Sequence, residues 1–327
     1  MINRYVIIIA LIFIHFSLLL FFCDKKVNNC NYKNKTEAIT NLKISKYNVN
    51  IYRCKRINEK DFLKRWNNYK IDISQDDKII YSDGLQDSSI KDNCPETCES
   101  CFKININDKK ETSFLPLYGE DITGDGIPNL VIERENCEGN SCKYNYTIFS
   151  LGDKFEIIKN FEAKNYDCKL KFVDLSRDKI YEIIVEDHYG NFNITKKLIV
   201  KSYVVLRYDK GKYIPVADYM KKNAPNDDDK IKIIGKIKSE LYNKNKDSIS
   251  ASEINKWYNI NSSQDMWQYL IDLIFSGNGN IAREIFNKVI IFKGENITNL
   301  KNKVWDDFIT DVSTNIYWED IKKMNNW

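Results

Sequence analysis

Five residues between Asp121 and Asn129 present oxygen atoms at the spacing of a metal-binding loop. In the stretch DITGDGIPNLVI, positions one, three, five and nine carry side-chain oxygens, and position seven offers a backbone carbonyl. The five donors are Asp121, Thr123, Asp125, Ile127 (through its carbonyl) and Asn129. Hard oxygen ligands at this spacing suit calcium, and Gly124 and Gly126 permit the tight turns that bring them together. The loop is therefore predicted to bind calcium, and the alternative is an Asx turn without an ion.

The residues after this loop favour a strand over a helix. A helix–loop–helix calcium site has a bidentate glutamate at position twelve, where this chain has Ile132. The segment LVIER that follows is typical of a strand, so the loop is predicted to lie between strands. The pattern resembles the calcium loops of the FG-GAP and VCBS repeat families, D-x-[DNT]-x-D-G-x-x-[DN] leading into a strand. This resemblance implies a sheet like a propeller blade, with calcium as its cofactor.

A second stretch, DLSRDKIYEIIVED, repeats the pattern 53 residues later. The residues on the same four side-chain positions are Asp174, Ser176, Asp178 and Glu182. Arg177 and Lys179 replace the two turn glycines, so the backbone is predicted to keep the shape while calcium binding is less expected. A period near 50 residues suits a four-stranded blade. Two copies are too few for a closed propeller, so we expect a fragment-like open sheet or a small barrel.

Histidine is scarce, which restricts the chemistry. The chain has two, His15 in a hydrophobic N-terminal segment and His188. A histidine-rich zinc site is thereby excluded, and a Ser-His-Asp or Cys-His arrangement could use only His188. His188 follows Asp187 at the end of a strand-like run, where it could act as a base oriented by the carboxylate. No nucleophile is recognisable nearby, so we favour an exposed histidine at a strand end.

Carboxylates near the ends of strand-like runs give a rival interpretation. They are Glu133, Glu135, Glu186 and Asp187. Two of them facing each other across a cleft could cleave a glycosidic bond, as in a hydrolase of the cell envelope. Acids at strand ends are more often solvated, so we do not favour this alternative.

The N-terminus predicts attachment to a membrane. After Arg4 comes an apolar run over residues 5–22, in which His15 and Ser17 are the only polar side chains and which is just long enough to span a bilayer. Cys23 follows directly, as a lipid-accepting cysteine would, but Phe22 stands where a lipoprotein signal has a small residue. A lipidated Cys23 and an uncleaved transmembrane anchor both remain open.

The distribution of cysteines favours an exported protein. Apart from Cys23, eight cysteines occur, all of them before residue 169. This even, clustered set indicates disulfides and hence a body in the periplasm or at the cell surface, although the positive-inside rule points weakly the other way. Cys137 and Cys142 flank a turn-like segment and suit a bridge across the end of a hairpin. The motif CPETCESC has the spacing of iron–sulfur ligands in radical enzymes, but disulfides are preferred because no βα repeat is present.

The remaining patterns define an α+β fold with an antiparallel β-rich region, like a propeller blade or a small barrel, followed by a C-terminal helical subdomain. The predicted parts are a membrane anchor or signal segment (1–26), a mixed cysteine-containing region (27–115), a β-rich domain with both loops (116–223) and the helical subdomain (224–327). RYDKGKYIPV predicts a hairpin with its turn at Asp209–Lys212.

Four amphipathic segments after residue 224 and a final short one predict helices. In the first, Ile231, Ile234, Ile237 and Leu241 are expected on one buried face. A stripe of tryptophan and phenylalanine along the later helices is expected to be core. Three segments, VVLRYDKGKYIPVADYMKKNAP, SGNGNIAREIFNKV and YWEDI, resemble the C-terminal third of uncharacterised bacterial secreted or lipoprotein-like proteins. This resemblance implies an envelope location and carries no activity with it.

Taken together, these patterns predict a membrane-tethered extracytoplasmic protein with a binding or structural role. The partner would be a protein or a glycan, and a specialised version would inhibit a cell-wall enzyme. Nucleic acid is not expected as a partner, because the net charge is only +4, with 50 basic residues scattered among 46 acidic ones.

Overall fold

The computed structural model shows an α+β protein. It describes residues 35–55, 69–84, 102–106, 115–138, 141–162, 168–189, 200–242, 248–250, 261–293 and 296–327. The apolar segment 5–22, Cys23 and the motif CPETCESC lie outside these residues. Across the described stretches, no helix combines the length and the apolar character that crossing a membrane requires.

Twelve strands form three antiparallel sheets of four strands each, and every sheet follows chain order. Sheet 1 contains β1 (Lys35–Ile44), β2 (Tyr47–Lys55), β3 (Tyr69–Gln75) and β4 (Lys78–Gly84). Sheet 2 contains β5 (Phe102–Asn105), β6 (Asn129–Glu138), β7 (Ser141–Leu151) and β8 (Phe155–Glu162). Sheet 3 contains β9 (Lys171–Val173), β10 (Glu182–Tyr189), β11 (Val200–Asp209) and β12 (Lys212–Pro215).

Tight turns connect several of these strands. The predicted hairpin between β11 and β12 is confirmed, since Asp209 pairs with Lys212 and the two residues between them both have positive φ. These are Lys210 and Gly211, at 46° and 89°. Two-residue turns with positive φ match the right-handed twist of the flanking strands, which explains why the two strands pair without a bulge.

Sheet 2 lies between the other two sheets. Leu130 and Ile132 of β6 pack into a cluster with residues of sheet 1, whereas Val131 belongs to a second cluster that includes residues of sheet 3. Successive strand residues point to opposite faces, so this alternation means that both faces of sheet 2 are covered. The three sheets therefore stack in sequence order.

The helices follow sheet 3 in the chain. They are α1 (Ala217–Met220), α2 (Asp227–Leu241), α3 (Asn261–Phe275), α4 (Gly279–Val289), α5 (Ile297–Val312) and α6 (Trp318–Met324). Two short strands, β13 (Ile249–Ser250) and β14 (Phe292–Lys293), pair in parallel. The side chain of Asn226 accepts a hydrogen bond from Asp229 N at 2.8 Å and caps α2.

One expectation for α2 is wrong. Ile237 and Leu241 are buried and Ile234 is half-buried, as predicted, but Ile231 is 69% exposed. At about 3.6 residues per turn, Ile231 lies about 120° around the helix axis from the buried Ile237, whereas Lys230 in the same turn is half-buried. Ile231 is therefore at the edge of the buried face, and spacing alone does not show which part of an apolar stripe is its centre.

The aromatic stripe of the later helices is core, as predicted. Trp267 is fully buried, and its ring centroid lies 4.7 Å from that of Phe308 and 6.1 Å from that of Phe286. These residues belong to the same buried cluster as Val131 of sheet 2 and Ile183 of sheet 3. The helical region and sheet 3 therefore share one hydrophobic core.

The predicted fold class is confirmed. The β-rich region is antiparallel and the helices lie mostly at its C-terminal side. Each sheet is a four-stranded meander like a propeller blade, and the strands of the described residues form open sheets, so the small barrel is not what this chain builds.

Candidate functional site

The two acidic loops occupy matching places in neighbouring sheets. The first loop (residues 121–129) leads into β6, the second strand of sheet 2, and the second loop (residues 174–182) leads into β10, the second strand of sheet 3. The loops are bonded to each other, since Tyr181 N donates to the Ile122 carbonyl at 3.0 Å. Tyr181 Oη also donates to Glu120 Oε2 at 3.0 Å. The loops therefore form one structural unit at the end of the two sheets.

The first loop is folded around Asp121. Its Oδ1 accepts a hydrogen bond from Gly124 N at 2.7 Å and its Oδ2 accepts one from Gly126 N at 2.7 Å. Thr123 Oγ1 lies 3.3 Å from Asp121 Oδ1 and 3.4 Å from Asn129 Oδ1. Oxygens bound to one calcium ion at about 2.3–2.6 Å lie at similar distances from each other. The structure thus brings together the predicted donors at positions one, three and nine.

The two remaining predicted donors, Asp125 and Ile127, are bonded to each other. Asp125 is exposed and its Oδ1 accepts a hydrogen bond from Ile127 N at 2.9 Å, while Ile127 is half-buried. Within the described part of the chain, no lysine, arginine or histidine forms an ion pair with Asp121 or Asp125. The carboxylates of this loop therefore have backbone amides as partners and, in the part of the chain that the structure describes, no cationic side chain.

The second loop repeats the hydrogen bonds of the first. Asp174 Oδ2 accepts from Lys179 N at 3.0 Å, which matches the bond from position six to position one in the first loop. Asp178 Oδ1 accepts from Ile180 N at 3.0 Å, which matches the bond from position seven to position five. The repeat that the sequence predicts is therefore present in the backbone.

Backbone dihedrals agree with this match. Gly124 and Gly126 have φ values of 78° and 81°. Arg177 and Lys179, at the same two positions of the second loop, have φ values of 59° and 69°. The second loop thus adopts the shape of the first at two positions where L side chains make it costly, by roughly 1–2 kcal/mol each.

An arginine fills the second loop. Arg207 on β11 donates to Ser176 Oγ at 3.0 Å and to Glu182 Oε1 at 2.6 Å, and it forms an ion pair with Asp178. These partners stand at positions three, nine and five, where the first loop has its own donors. The hydrogen bond from Arg207 lowers the pKa of Asp178 to about 2. A guanidinium therefore takes the place that a bound cation would occupy.

The matching place in sheet 2 holds a small neutral residue. Continuing the β10–β11 register by one pair places Glu182, position nine of the second loop, opposite Arg207. In the β6–β7 register, Asn129, position nine of the first loop, is opposite Ser150. The first loop has the oxygen donors without the arginine, so it is the loop in which an external cation has a place.

We predict different costs for alanine at the two glycines of the first loop. Gly126→Ala is expected to destabilise by about 1 kcal/mol, because its φ is positive but a Cβ there meets nothing within 4 Å. Gly124→Ala is expected to cost about 1–3 kcal/mol more, because its Cβ would lie 2.5 Å from the Ile180 side chain.

Urea unfolding of the two variants measures this difference in the free energy of unfolding. Gly126→Ala serves as the matched control, since both variants carry the same backbone strain. Equal destabilisation would mean that the loops are not packed against each other through Gly124 and Ile180.

A cleft lies where sheets 2 and 3 meet the segment between α5 and α6. Its volume is about 520 Å³. Its apolar lining includes Tyr146, Phe161, Leu170 and Ile316, and its charged lining includes Lys143, Lys159 and Glu162. A concave apolar surface with a few charged groups is the usual form of a ligand site.

His188 belongs to a cluster beside this cleft, and the expectation of an exposed histidine is wrong. Its side chain is 13% exposed, and its Nε2 lies 2.6 Å from Glu186 Oε1. Lys201 Nζ donates to the same oxygen at 2.8 Å. Burial raises the pKa of Glu186, but the hydrogen bonds from Lys201 and His188 together outweigh burial, so the pKa lies below its ordinary value. Cys168 completes the cluster, since one possible ligand atom from each of Cys168, Glu186 and His188 lies within 4.8 Å of the other two.

The sequence interpretation missed Cys168 as a neighbour of His188. Cys168 is buried and is a thiol, whereas it had been counted in an even set of disulfide cysteines. The β9–β10 ladder pairs Val173 with Glu182 and ends at the pair of Lys171 and Ile184, so Cys168 lies outside it. Continuing the register would place Cys168 opposite Asp187, on the face away from Glu186 and His188, so recognising the hairpin alone does not predict this proximity.

The four candidate acids do not gather in one cleft. Glu186 and Asp187 line it, and because they are consecutive on β10 they point to opposite faces of sheet 3. On sheet 2, Glu133 Oε2 accepts from Tyr146 Oη at 2.8 Å, and Glu135 Oε1 accepts from Tyr144 Oη at 3.2 Å. Each acid thus has a place in a local hydrogen-bond network.

The disulfide predicted across the end of the β6–β7 hairpin has the backbone pairing that it requires. Cys142 is disulfide-bonded, and Cys137 is its direct partner in the β6–β7 ladder. The cysteines of CPETCESC lie outside the described residues, so this part of the disulfide prediction stays a prediction.

The fold and loops define an α+β protein with three blade-like sheets, a pair of acidic loops and a helical C-terminal region. Comparisons with protein-family models, with curated proteins and with solved structures find no match for this chain. The resemblance to FG-GAP and VCBS repeats therefore depends on the two loops alone.

Proposed function

We propose that this protein is an extracytoplasmic binding protein, tethered to a membrane through residues 5–22 and stabilised by calcium in the first loop. The observation that carries the proposal is the difference between the two matching loops. The second loop neutralises its carboxylates with Arg207, whereas the first has converging oxygens and, among the described residues, no cationic side chain paired with them. Oxygen donors in flexible loops are the ligands that calcium prefers.

Calcium in this position would stabilise the fold and take no part in a reaction. Asp121 and Asn129 hold the start of β6, and the loop is bonded to the second loop through Ile122. Fixing the first loop would therefore fix the contact between sheets 2 and 3. This is the role that the resemblance to FG-GAP and VCBS loops also implies.

The cleft supports a binding role. Its aromatic and aliphatic lining suits an apolar side chain or the face of a sugar ring, and Lys143, Lys159 and Glu162 supply charges for orientation. We propose a protein or a glycan of the cell envelope as the partner. Inhibition of a cell-wall enzyme is a specialised form of this role, and a partner that co-purifies in stoichiometric amount would support it. A carboxylate hydrolase has less support, because the candidate acids are spread over two sheets.

Calcium is expected to raise the midpoint of thermal unfolding of the disulfide-bonded full chain in mild detergent. At 100 times the dissociation constant, a ligand that binds the folded state adds about 2.7 kcal/mol to the free energy of unfolding. The measurement compares calcium with a chelator in the native chain and in Asp125→Ala, in which the shift should be lost or strongly reduced.

Asp153→Ala is the matched control for this experiment. Asp153 is an exposed acid in the turn after β7, outside both loops, so its removal should leave the calcium shift unchanged. An equal shift in Asp125→Ala would place calcium elsewhere. No shift in the native chain would make the first loop an Asx turn without an ion.

A further inference from the structure

We propose that Cys168, Glu186 and His188 form a binding site for a divalent transition-metal ion of the zinc type. Among the described residues, these three bring a sulfur, an oxygen and a nitrogen donor within 4.8 Å of one another. Thiolate and imidazole ligands favour zinc and related ions, whereas calcium takes oxygen ligands. The site is therefore distinct in chemistry from the first loop and does not depend on the proposed function.

Binding a zinc ion at this cluster requires small movements of the ligand atoms. Bonds from zinc to sulfur, nitrogen and oxygen measure about 2.0–2.3 Å, which places tetrahedral ligand atoms about 3.3–3.8 Å apart. His188 Nε2 and Glu186 Oε1 lie 2.6 Å apart in a hydrogen bond. Inserting the ion would exchange this hydrogen bond for two metal bonds and separate the two atoms by about 1 Å. Both residues are on one face of β10, because they are two positions apart, so the strand holds them in place.

Burial favours binding over solvation of the separate ligands. The side chains of Glu186 and His188 are 11% and 13% exposed, and Cys168 is buried. Binding would release the thiol proton of Cys168 and would use His188 as a neutral imidazole. One negative charge from the thiolate and one from the carboxylate would then balance the ion.

Lys201 supplies an outer interaction that metal sites commonly have. Its Nζ donates to Glu186 Oε1 at 2.8 Å, and ligating carboxylates are usually held by such hydrogen bonds. Its charge would also repel the ion, but the Lys201 side chain is 45% exposed, so solvent reduces that repulsion. Lys201 is a positioning residue for Glu186 in this proposal.

With these three ligands from the described residues, one tetrahedral position is left for a further ligand. Cys168 and Glu186 both line the cleft, so that position is next to its cavity. Three protein ligands and an open position are the arrangement of zinc sites that bind water or an exogenous ligand, while closed structural sites use four.

The proposal is tested by titrating the full chain, in mild detergent, with Co²⁺ and then Zn²⁺. Co²⁺ is expected to give a thiolate-to-cobalt charge-transfer band that saturates at one ion per chain and disappears when Zn²⁺ displaces it. Cys168→Ser should abolish the band. Glu186→Gln and His188→Ala should each weaken Zn²⁺ binding beyond the roughly 10- to 100-fold loss expected for the outer-residue variant Lys201→Met.

Glu156→Gln is the matched control, since Glu156 is an exposed glutamate of β8 outside both the cluster and the lining of the cleft. Its Zn²⁺ affinity should equal that of the native chain. Circular dichroism of each variant separates loss of metal from loss of fold, and Cys168→Ser is nearly isosteric with the native residue.

Two results would overturn the proposal. The first is a Co²⁺ spectrum without a thiolate band, or one that Cys168→Ser leaves unchanged. The second is absence of Zn²⁺ binding together with alkylation of Cys168 at a rate that falls in His188→Ala. That second result would identify the cluster as a nucleophilic thiol with a histidine base.

Discussion

Replacing Arg207 with methionine is expected to lower the free energy of unfolding by about 3–5 kcal/mol, because the variant leaves a buried carboxylate without its cation. Glu182 is fully buried, and its Oε1 accepts from Arg207 at 2.6 Å. Its other oxygen accepts from Leu175 N at 2.8 Å. Urea unfolding of the native chain and of Arg207→Met measures the difference directly.

Lys143→Met provides the control for loss of an ion pair as such. Lys143 and Glu162 form a pair at 2.7 Å, but the Glu162 side chain is 72% exposed. Exposed pairs contribute about 0–1 kcal/mol, so this variant should be nearly neutral. If Arg207→Met costs no more than Lys143→Met, the arginine does not neutralise the second loop.

The ion pair between Arg207 and Asp178 predicts a dependence of stability on pH. The pKa of Asp178 is about 2 in the folded protein, below its ordinary value, with the hydrogen bond from Arg207 as the largest cause. A lowered pKa contributes stability above the ordinary value, and this contribution is lost as pH falls from about 4 to about 2. Arg207→Met should therefore show a weaker loss of stability over this range than the native chain.

Arg207→Ser extends the test to calcium, because it gives the second loop the residue type that stands at Ser150 in sheet 2. With the guanidinium removed, the oxygens of Ser176, Asp178 and Glu182 become available to an external cation. We expect calcium to restore part of the lost stability, measured in an Asp125→Ala background so that the first loop is silent. An unchanged midpoint in calcium would mean that the two loops are not chemically equivalent.

The first loop could be predicted from sequence because all its donors lie within nine consecutive residues. Spacing within nine residues fixes which oxygens can converge, and Gly124 and Gly126 mark the positions of positive φ. The second loop could also be found, although Arg177 and Lys179 stand where the glycines would be. Its fixed oxygen spacing was the stronger signal.

Arg207 could not be predicted in the same way. It lies 25 residues beyond Glu182, on the next strand, and it reaches the loop only through the β10–β11 register. Register depends on which face of each strand is buried and on the connection between the strands. The connection between β10 and β11, residues 190–199, lies outside the described residues. A single-sequence pattern therefore gives the donors of a loop but not the cation that fills it.

The cluster at His188 shows a similar limit. The sequence placed Cys168 among disulfide cysteines because the count was even, which is a property of the whole chain and not of one residue. The structure brings Cys168 to Glu186 and His188 from the segment before β9, outside the paired residues of the β9–β10 ladder. Sequence spacing and strand register do not predict this proximity, because it depends on how residues 168–170 pack, where Leu170 N donates to Tyr146 Oη at 3.2 Å.

Trp267→Ala is the second variant with a large expected effect, and it tests whether the helical region and sheet 3 unfold together. Removing a fully buried aromatic side chain typically costs about 3–5 kcal/mol. Trp267 packs on Phe286 and Phe308, within the cluster that continues to Ile183 of sheet 3. Trp267→Ala should therefore lower the stability of both the helical region and sheet 3.

The measurement follows thermal unfolding by far-ultraviolet circular dichroism at wavelengths weighted to helix and to strand. A shared core predicts that both signals shift to a lower midpoint by the same amount in Trp267→Ala. Ile231→Ala is the control, because Ile231 is a hydrophobic residue on α2 that is 69% exposed, and its removal should change stability by about 0.5 kcal/mol or less. A lower midpoint in the helical signal with an unchanged strand signal would show two independent units, and the helices would then be a separate domain beside the sheets.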